Sequence, residues 1–505
     1  MTAAPRAERG GTCRPAVSVV LATHRGAGTI ATALRSLAVQ TLAADRFEVV
    51  VVQNGPRDGT EAVLAEVARA HPGLGLRRLR LGTAGAGRAR NAGMAVARGD
   101  YVTFVDDDDT VSPRYLEALL AASAPDTVGV AYMAEVAEPG GAPDFGARRL
   151  VPQLLGAGKA VAPEDLFVAL TYTVGKMLPT PLARAVGFDA DLRGAEDMDF
   201  YARFFVQFPL GLRLCPIDAY AIYYRVLVAN SLARQELSRE FSVLQRLDLA
   251  ERLDRAVATA PWHRRLLDHM TQTQFRLMNQ FLREQPDQHA DVLAEIRRRG
   301  LTMVPYGILN AGIARRLEIA YVAPPTAHPA AALVAQRVHE AAAPVDVIAA
   351  DLRGTVPVDA ETGSAWRPFL DQVARVRGPA PLEPDWPAAA AFCAGGMEIV
   401  REREEAKGGY ESIRSHGLAP AHLLAAWYKA RNPAVRWTAE LGRPYDAKPG
   451  AAGPAECELL ADLRGALAAA GAAAPEDVDL QIWARALVLA LADRIVTAPE
   501  GAPGS

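Results

Sequence analysis

The sequence predicts an α/β fold in which helices flank a mostly parallel, Rossmann-like sheet. Along the first part of the chain, short runs of β-branched and aliphatic residues alternate with segments whose apolar residues recur at helical spacing. Such alternation forms parallel sheets with right-handed crossovers, so the loops after the strands meet at one edge. The alternation returns near Leu317, and 505 residues are too many for one core, so we expect roughly two to four domains.

The composition is that of an ordinary globular protein. Half of the residues are hydrophobic and the net charge is −3, so nothing calls for nucleic acid or an anionic membrane surface as a partner. The four cysteines lie far apart, which argues against a zinc site or a disulfide scaffold and fits a reducing, cytoplasmic compartment. Residues 1–15 are expected to be a disordered leader without a signal peptide. No apolar run reaches membrane-spanning length, and peripheral association with the inner face of a membrane stays open.

The amino-terminal elements follow from these patterns in order. Val- and Leu-rich runs predict four strands, at 17–22, 47–52, 76–81 and 101–105. Helices are predicted after the first three strands: one through Ile30, Leu34 and Leu37, one over about 61–70, and one opening after the glycine-rich stretch 82–87. The loop after each strand then belongs to the same edge of the sheet.

Four consecutive aspartates, residues 106–109, end the fourth strand. Adjacent carboxylates repel one another, so water or a cation must balance them, and the carboxyl edge of such a sheet is where a ligand binds. The alternative is a solvated turn that caps a helix starting between 109 and 112, with Pro113 in its first turn.

A second acidic pair, Glu196 and Asp197, stands at a predicted loop-to-helix junction. Phe200, Phe204 and Phe205 form an apolar stripe behind it. The alternative interpretation is a helix amino terminus whose acidic side chains complement the helix dipole. The glycine-rich stretch 82–87 also has an alternative, because it does not match the dinucleotide fingerprint and simple turn chemistry explains it.

The ordered set of motifs resembles the nucleotide-sugar half of the family 2 inverting glycosyltransferases of the GT-A fold. It consists of THR at 23–25, QNGPRDGT at 53–60, TAGAGRARNAG at 83–93 and YVTFVDDDD at 101–109, with the acidic pair further on. The resemblance covers about 17–225. It implies a metal-dependent transfer from a nucleotide-diphosphate sugar, expected to be UDP-linked, to an acceptor hydroxyl of a glycan, glycolipid or natural product.

The resemblance also implies roles for particular residues. Donor binding is implied for Thr23, His24, Arg25, Asn54, Arg90, Asp106 and Asp107. His24 would flank the base, and Asn54 stands where the family more often has aspartate. Asp108 and Asp106 match the metal-binding carboxylates of a DXD motif, with Mn²⁺ or Mg²⁺ as the expected ion, although four aspartates leave the register open by one residue. Asp197 matches the general base, and Glu196 would help to position the acceptor.

The rest of the chain is predicted to form three further segments. The boundaries place the catalytic domain at 16–230, a helical connector at 231–316, and a second α/β unit at 317–446. The α/β unit resembles the acceptor-side, Rossmann-like half of GT-B glycosyltransferases. Residues 447–505 are predicted to be helical and are too few to build a donor-binding second half. A role in acceptor binding, docking or homo-oligomer formation is therefore expected for this part.

Two other functions are weighed against the transferase. A nucleotidyltransferase on a similar sheet would also use aspartates and a metal, but its glycine-rich phosphate loop is expected after the first strand, where Thr23, His24 and Arg25 stand. A non-catalytic, carbohydrate-binding scaffold would have no reason to keep both carboxylate sites with their charge repulsion.

Overall fold

The computed structural model describes residues 14–145, 158–192, 194–227, 238–359, 366–378, 380–441, 458–476 and 479–497. The chain divides into two compact units. The amino-terminal unit comprises Met1–Gln274 with Leu301–Met303, and the carboxyl-terminal unit comprises Phe275–Gly300 with Val304–Ser505. The predicted leader lies outside the described residues up to residue 13, as does the start of the predicted carboxyl-terminal segment, 447–457.

The amino-terminal unit contains two sheets in its described part. Its strands are β1 Val17–Thr23, β2 Phe47–Asn54, β3 Leu76–Leu81, β4 Tyr101–Phe104, β5 Thr110–Val111, β6 Thr127–Val130, β7 Tyr132–Val136, β8 Ala160–Val161, β9 Lys176–Pro179, β10 Gly211–Leu214 and β11 Ile222–Val226. The large sheet has the order β3-β2-β1-β4-β9-β6-β10-β8, and the small one has the order β5-β11-β7. The first four strands pair in parallel, whereas β9 runs antiparallel between β4 and β6. The predicted α/β fold class and the four predicted strands are confirmed.

Helices cover this sheet on both faces. They are α1 Ile30–Ala38, α2 Thr60–Ala70, α3 Ala86–Val96, α4 Tyr115–Ala122, α5 Thr180–Val186, α6 Glu196–Gln207, α7 Gln245–Thr259 and α8 Arg264–Glu284. Alternate residues of β1 and β2 enter two different apolar cores, which is why both strands are continuous hydrophobic runs. The predicted helix start between 109 and 112 is wrong. Residues 110 and 111 pair with β11 instead, and α4 begins at Tyr115.

The carboxyl-terminal unit is built on one parallel sheet. Its strands are β12 Arg316–Ala320, β13 Val345–Ala350, β14 Leu370–Val376, β15 Ser412–Gly417, β16 Arg436–Leu441 and β17 Arg494–Thr497. The order β14-β13-β12-β15-β16-β17 corresponds to 3-2-1-4-5-6, the doubly wound arrangement of Rossmann folds. Its helices are α9 His289–Arg299, α10 Tyr306–Leu309, α11 Pro329–Ala341, α12 Trp386–Lys407, α13 Ala419–Arg431, α14 Glu458–Ala469 and α15 Leu480–Leu491.

Two predicted segments differ in detail from the structure. Residues 447–505 are not purely helical, because β17 follows α14 and α15 and adds a strand next to β16. The predicted helical connector, 231–316, contributes to both units, since the boundary between them falls within α8. Across the described ranges of the chain, no helix is both long enough and apolar enough to cross a membrane.

A buried charge cluster lies on three neighbouring strands of the carboxyl-terminal sheet. His416 Nε2 is 2.6 Å from Glu318 Oε2, and His416 Nδ1 is 3.2 Å from Glu440 Oε2. Arg337 Nε donates to Glu440 Oε1 at 2.7 Å. Burial alone would lower the pKa of His416, but the hydrogen bond to Glu318 and the charge of both carboxylates outweigh it, so the pKa is raised. The imidazolium therefore stabilises this unit.

We expect His416→Gln to destabilise the carboxyl-terminal unit in a pH-dependent way. Because the folded-state pKa of His416 lies above 6.5, its stabilisation is complete below that pH and is lost as the pH rises through the folded-state pKa. The loss should be about 3 kcal/mol at pH 6 and clearly smaller at pH 9. Urea unfolding followed by tryptophan fluorescence measures it. His339→Gln, at an exposed position of α11, is the control, and an equal loss at both pH values for His416→Gln would contradict the assignment.

Candidate functional site

The side chain of Asn54 joins three loops at the carboxyl edge of the large sheet. Its Nδ2 donates to the carbonyl of Thr23 at 2.9 Å, and its Oδ1 accepts from the backbone N–H of Gly85 at 3.0 Å. Asn54 is buried, and both the donor and the acceptor of its side-chain amide form hydrogen bonds with the protein backbone. It fixes the loop after β1 relative to the start of α3. The structure thus gives Asn54 a positioning contact rather than an exposed polar group.

His24 and Arg25, the other two members of the THR motif, are exposed at the same edge. His24 Nδ1 lies 2.8 Å from the carbonyl oxygen of Asn54. The ring rests against Gly55, where a Cβ would stand 2.6 Å from His24 Cε1 and the backbone φ is +93°. Only glycine fits there without displacing the ring. The imidazole is therefore held in place at one nitrogen while the residue stays accessible to a ligand.

The four aspartates after β4 have different surroundings. Asp109 is buried and accepts hydrogen bonds from Tyr223 Oη at 2.7 Å and from the backbone N–H of Val226 at 2.8 Å. Asp107 accepts from Thr23 Oγ1 across the edge of the sheet. Asp106 and Asp108 are both partly exposed.

The aspartate cluster carries more negative charge than its surroundings neutralise. Burial and the neighbouring carboxylates raise the pKa of Asp109 to about 8. Burial also raises the pKa of Asp107 to about 6. The pKa of Asp108 is raised by burial as well, although the charge of Arg225 acts in the opposite direction. Carboxyl groups whose pKa values rise in this way favour a bound cation or proton.

Arg90 connects this cluster to the second acidic pair. Its guanidinium is buried, with Nη2 at 3.2 Å from Asp106 Oδ1 and Nη1 at 3.2 Å from Glu196 Oε1 and 3.3 Å from Asp197 Oδ1. It also lies over the ring of Phe188, 5.5 Å from the centroid. Burial disfavours its charge, but Asp197, Asp106 and Glu196 outweigh that cost and raise the pKa of Arg90. One cation therefore brings together residues that are about a hundred positions apart in the chain.

Asp197 lies in the first turn of α6, which begins at Glu196. The preceding residue, Ala195, has a left-handed backbone with φ 61°. Thr173 donates to Asp197 twice, from its backbone N–H at 3.0 Å and from its hydroxyl. Burial and the charge of Asp197 raise the pKa of Glu196, while Arg90 opposes this shift. Both acids contact Arg90, and Asp197 also accepts two hydrogen bonds from Thr173, so Asp197 is the more firmly oriented of the two.

Sequence reasoning missed Thr173 and the buried Lys176 that anchors its loop. Lys176 Nζ donates to the carbonyls of Ala169, of Tyr172 at 2.6 Å and of Val174 at 2.8 Å. The ammonium also lies 4.8 Å from the ring centroids of Tyr172 and Tyr201. Burial lowers the pKa of Lys176 to about 7, and the charge of Asp197 acts in the opposite direction. A lysine inside an otherwise apolar strand was the one signal available in the sequence.

The carboxylates at this edge fit a hard divalent cation that a ligand helps to coordinate. Among the residues that the structure describes, no group of three His, Cys, Asp or Glu side chains is arranged to hold a metal ion by itself. Mg²⁺ is commonly bound by about one or two carboxylates together with substrate phosphates. Asp106 and Asp108 could supply that protein share.

Residues 18–157 match the model of the family described as Glycosyl transferase family 2. This part of the chain is a glycosyl transferase family 2 region. It contains β1 to β4, the aspartate cluster and Arg90, whereas Glu196 and Asp197 lie beyond it and join the site through Arg90. The resemblance predicted from the motifs is confirmed here. The predicted likeness of the carboxyl-terminal unit to a GT-B half stays a prediction.

Relatives of the family 2 region are named as glycosyltransferases or polysaccharide-biosynthesis proteins. The putative glycosyltransferase EpsH of Bacillus subtilis is 33% identical over 128 residues, which are 25% of this chain and 36% of the relative. The succinoglycan biosynthesis protein ExoO of Rhizobium meliloti is 36% identical over 107 residues, 21% of this chain and 29% of the relative. The chain thus spans about a third of the length of these relatives. The crystal structure of S. aureus TarS 1-349 with UDP-GlcNAc aligns with a TM-score of 0.41 at 20% identity, covering 58% of this chain and 82% of that one.

The two hydrogen bonds of the Asn54 amide predict that aspartate at this position destabilises this chain, although the resembled family more often has aspartate there. In Asn54→Asp the acceptor for Gly85 remains, but a carboxylate oxygen replaces the donor that faces the Thr23 carbonyl. We expect a loss of about 1–3 kcal/mol in the stability of the amino-terminal unit. Calorimetric unfolding should show a larger loss at pH 8 than at pH 5, because the repulsion requires the ionised carboxylate. A variant as stable as the wild type at pH 8 would contradict this account of the amide.

Proposed function

We propose that the protein is a metal-dependent, inverting glycosyltransferase that uses a nucleotide-diphosphate sugar. The observation that carries the proposal is the Arg90 bridge, which holds Asp106 of the aspartate cluster next to Glu196 and Asp197. The family 2 match supports sugar transfer over a nucleotidyltransferase or a scaffold. We expect a UDP-linked donor, and the name of ExoO, a succinoglycan biosynthesis protein, favours a glycan acceptor over a glycolipid or natural product. A cytoplasmic location, with or without association to the inner membrane face, stays a prediction.

The donor would bind along the loops that Asn54 holds together. Thr23, His24 and Arg25 form one wall of this edge, and the exposed His24 ring is available to stack on the base of the nucleotide. Asp106 and Asp107 would face the ribose and the diphosphate. Asn54 would act by keeping the loops in register rather than by direct contact with the donor.

Departure of the nucleoside diphosphate requires neutralisation of its growing negative charge. Asp108 and Asp106 would hold Mn²⁺ or Mg²⁺, which supplies that charge stabilisation when bound. Arg225 lies near enough to Asp108 to lower its pKa, so a cationic side chain faces the same edge. Arg225 is also paired with Glu135 at 3.2 Å. We propose that Arg225 supports the diphosphate side of the site.

Asp197 would act as the general base toward the acceptor hydroxyl. Thr173 and Arg90 both contact its carboxylate, so the orientation of the two carboxylate oxygens is fixed before the acceptor binds. As the acceptor oxygen bonds to the anomeric carbon, the bond from that carbon to the phosphate oxygen breaks and Asp197 takes the hydroxyl proton. A single displacement inverts the configuration. Glu196, whose pKa is raised, would hold the acceptor by a hydrogen bond.

The proposal is tested by incubating the protein with Mn²⁺ and a panel of nucleotide sugars while following release of nucleoside diphosphate. We expect one donor to be turned over in a metal-dependent way. Asp108→Ala should lose donor binding measured by calorimetry, whereas Asp197→Asn should bind the donor and lose turnover. Asp191→Asn, at an exposed position shortly before α6, is the matched control and should keep both donor binding and turnover. Absence of binding for every donor with metal present would reject a nucleotide-sugar site.

The contacts of Lys176 predict a kinetic effect without direct contact to substrate. Lys176→Met removes the cation that gathers the carbonyls of its own loop, so Thr173 is expected to release Asp197. A misplaced base should lower kcat about 100-fold, while the KM for the donor changes little. Lys159→Met, at an exposed position of the same unit, should leave both constants unchanged. If Lys176→Met raised only the donor KM, Lys176 would belong to the donor side of the site instead.

A further inference from the structure

A groove of about 650 Å³ lies at the β14 edge of the carboxyl-terminal sheet. One side is formed by the loop after β12, including Pro324, and the other by the edge strand itself. The buried ring of Trp366 and the exposed side chain of Val373 contribute apolar surface. Ligand pockets typically have volumes of about 300–1,000 Å³, so the groove is large enough for more than a single small ion.

Four arginines line this groove: Arg353, Arg367, Arg375 and Arg377. No aspartate or glutamate is among the described residues that form its walls. Arg353 is paired with Asp351 in a two-point contact, with Nε at 2.8 Å from Oδ1 and Nη2 at 2.7 Å from Oδ2. The walls therefore retain an excess of positive charge.

Arg375 is held by the protein backbone. It is half-buried, and its Nη2 donates to the carbonyl of Pro324 at 2.8 Å. A second, longer hydrogen bond of 3.4 Å joins its Nη1 to the carbonyl of Ala350. Pro324 lies in the loop after β12 and Ala350 is the last residue of β13, so the two carbonyls fix the guanidinium at the carboxyl ends of the strands. Neutral carbonyls orient the cation without cancelling its charge.

The two outer arginines are exposed. Arg367 follows Trp366 before β14, and Arg377 follows the end of β14. Together with Arg375 they place planar, five-donor groups along one wall, which is the arrangement that recognises phosphate or carboxylate oxygens by paired hydrogen bonds. Fixed positive charge of this kind next to apolar surface also raises the local concentration of anions.

We propose that this arginine groove binds an anionic ligand that carries at least two phosphate or carboxylate groups. The site is separate in sequence from the family 2 region and uses residues of the carboxyl-terminal unit alone. The proposal does not depend on sugar transfer by the amino-terminal unit. A ligand with a single charge would engage one guanidinium and leave the others unpaired, so several charges are required to use the groove.

The test is calorimetric titration of the full-length protein with two probes, in buffer with physiological salt and EDTA. Inorganic tripolyphosphate represents phosphate-bearing ligands, and a short oligogalacturonate represents acidic glycans. We expect saturable binding of one probe at one site, and the preferred probe identifies the anionic group. In Arg367→Gln/Arg377→Gln the affinity should fall about 10-fold or more, because the variant removes two guanidinium groups that form charge-assisted hydrogen bonds with the anion.

Controls separate this groove from general basic character. Arg401→Gln/Arg485→Gln removes the same charge at exposed positions of the same unit outside the groove, and it should leave the affinity unchanged. Asp108→Ala should also bind normally, because the aspartate cluster is not involved. Arg375→Gln is a second groove variant that should weaken binding in the same way. The proposal is overturned if neither probe binds, or if the control pair weakens binding as much as the groove pair does.

Discussion

The contact of Arg90 with three carboxylates is the interaction on which the amino-terminal unit depends. Asp106, Glu196 and Asp197 come from two distant parts of the chain, and their like charges would drive them apart in a buried setting. The planar guanidinium can donate to several oxygens at once, which an ammonium group on a flexible stem does not do with the same directional control. Removing one partner from such a cluster leaves charges unpaired, a costly change in a protein interior.

In the rest of the site, two buried side chains hold backbone segments in position by hydrogen bonds to backbone groups. Asn54 uses its amide to hold two backbone segments together, and Lys176 uses its ammonium to hold three carbonyls of one loop. Both side chains are buried and neither is exposed to a ligand. Preorganisation of this kind lets Thr173 and the aspartate cluster keep their geometry with little loss of conformational freedom on binding.

The sequence allowed the fold and the location of the site to be predicted, because both follow from local patterns. The apolar run that ends in residues 106–109 is readable as a strand, and parallel pairing then puts its end beside the loops after β1 and β2. The contact of Thr173 with Asp197 spans 24 residues and has no sequence period, so it could not be predicted. The predicted start of α4 was wrong because Thr110 and Val111 form β5 by pairing with β11, which is distant in the sequence. Likewise, the four-residue β17 depends on its neighbour β16 rather than on its own pattern.

Charge balance distinguishes the clusters of charged side chains that stabilise the fold from those that favour a bound ligand. In the carboxyl-terminal unit, Glu318 and Glu440 face His416 and Arg337, and this cluster is neutral when His416 is protonated. Asp346 and Asp371 face Lys407 and Arg403, so the two carboxylates of the second cluster are matched by two cations.

The aspartate cluster is different. One cation, Arg90, contacts three carboxylates. The pKa values of Asp107, Asp108 and Asp109 are raised. The arginine groove has the opposite excess. Folding can satisfy a balanced cluster by itself, whereas an unbalanced one is stabilised only by an ion, a proton or a ligand of the other sign. Both of these clusters are therefore places where the physical chemistry of the described residues points to binding.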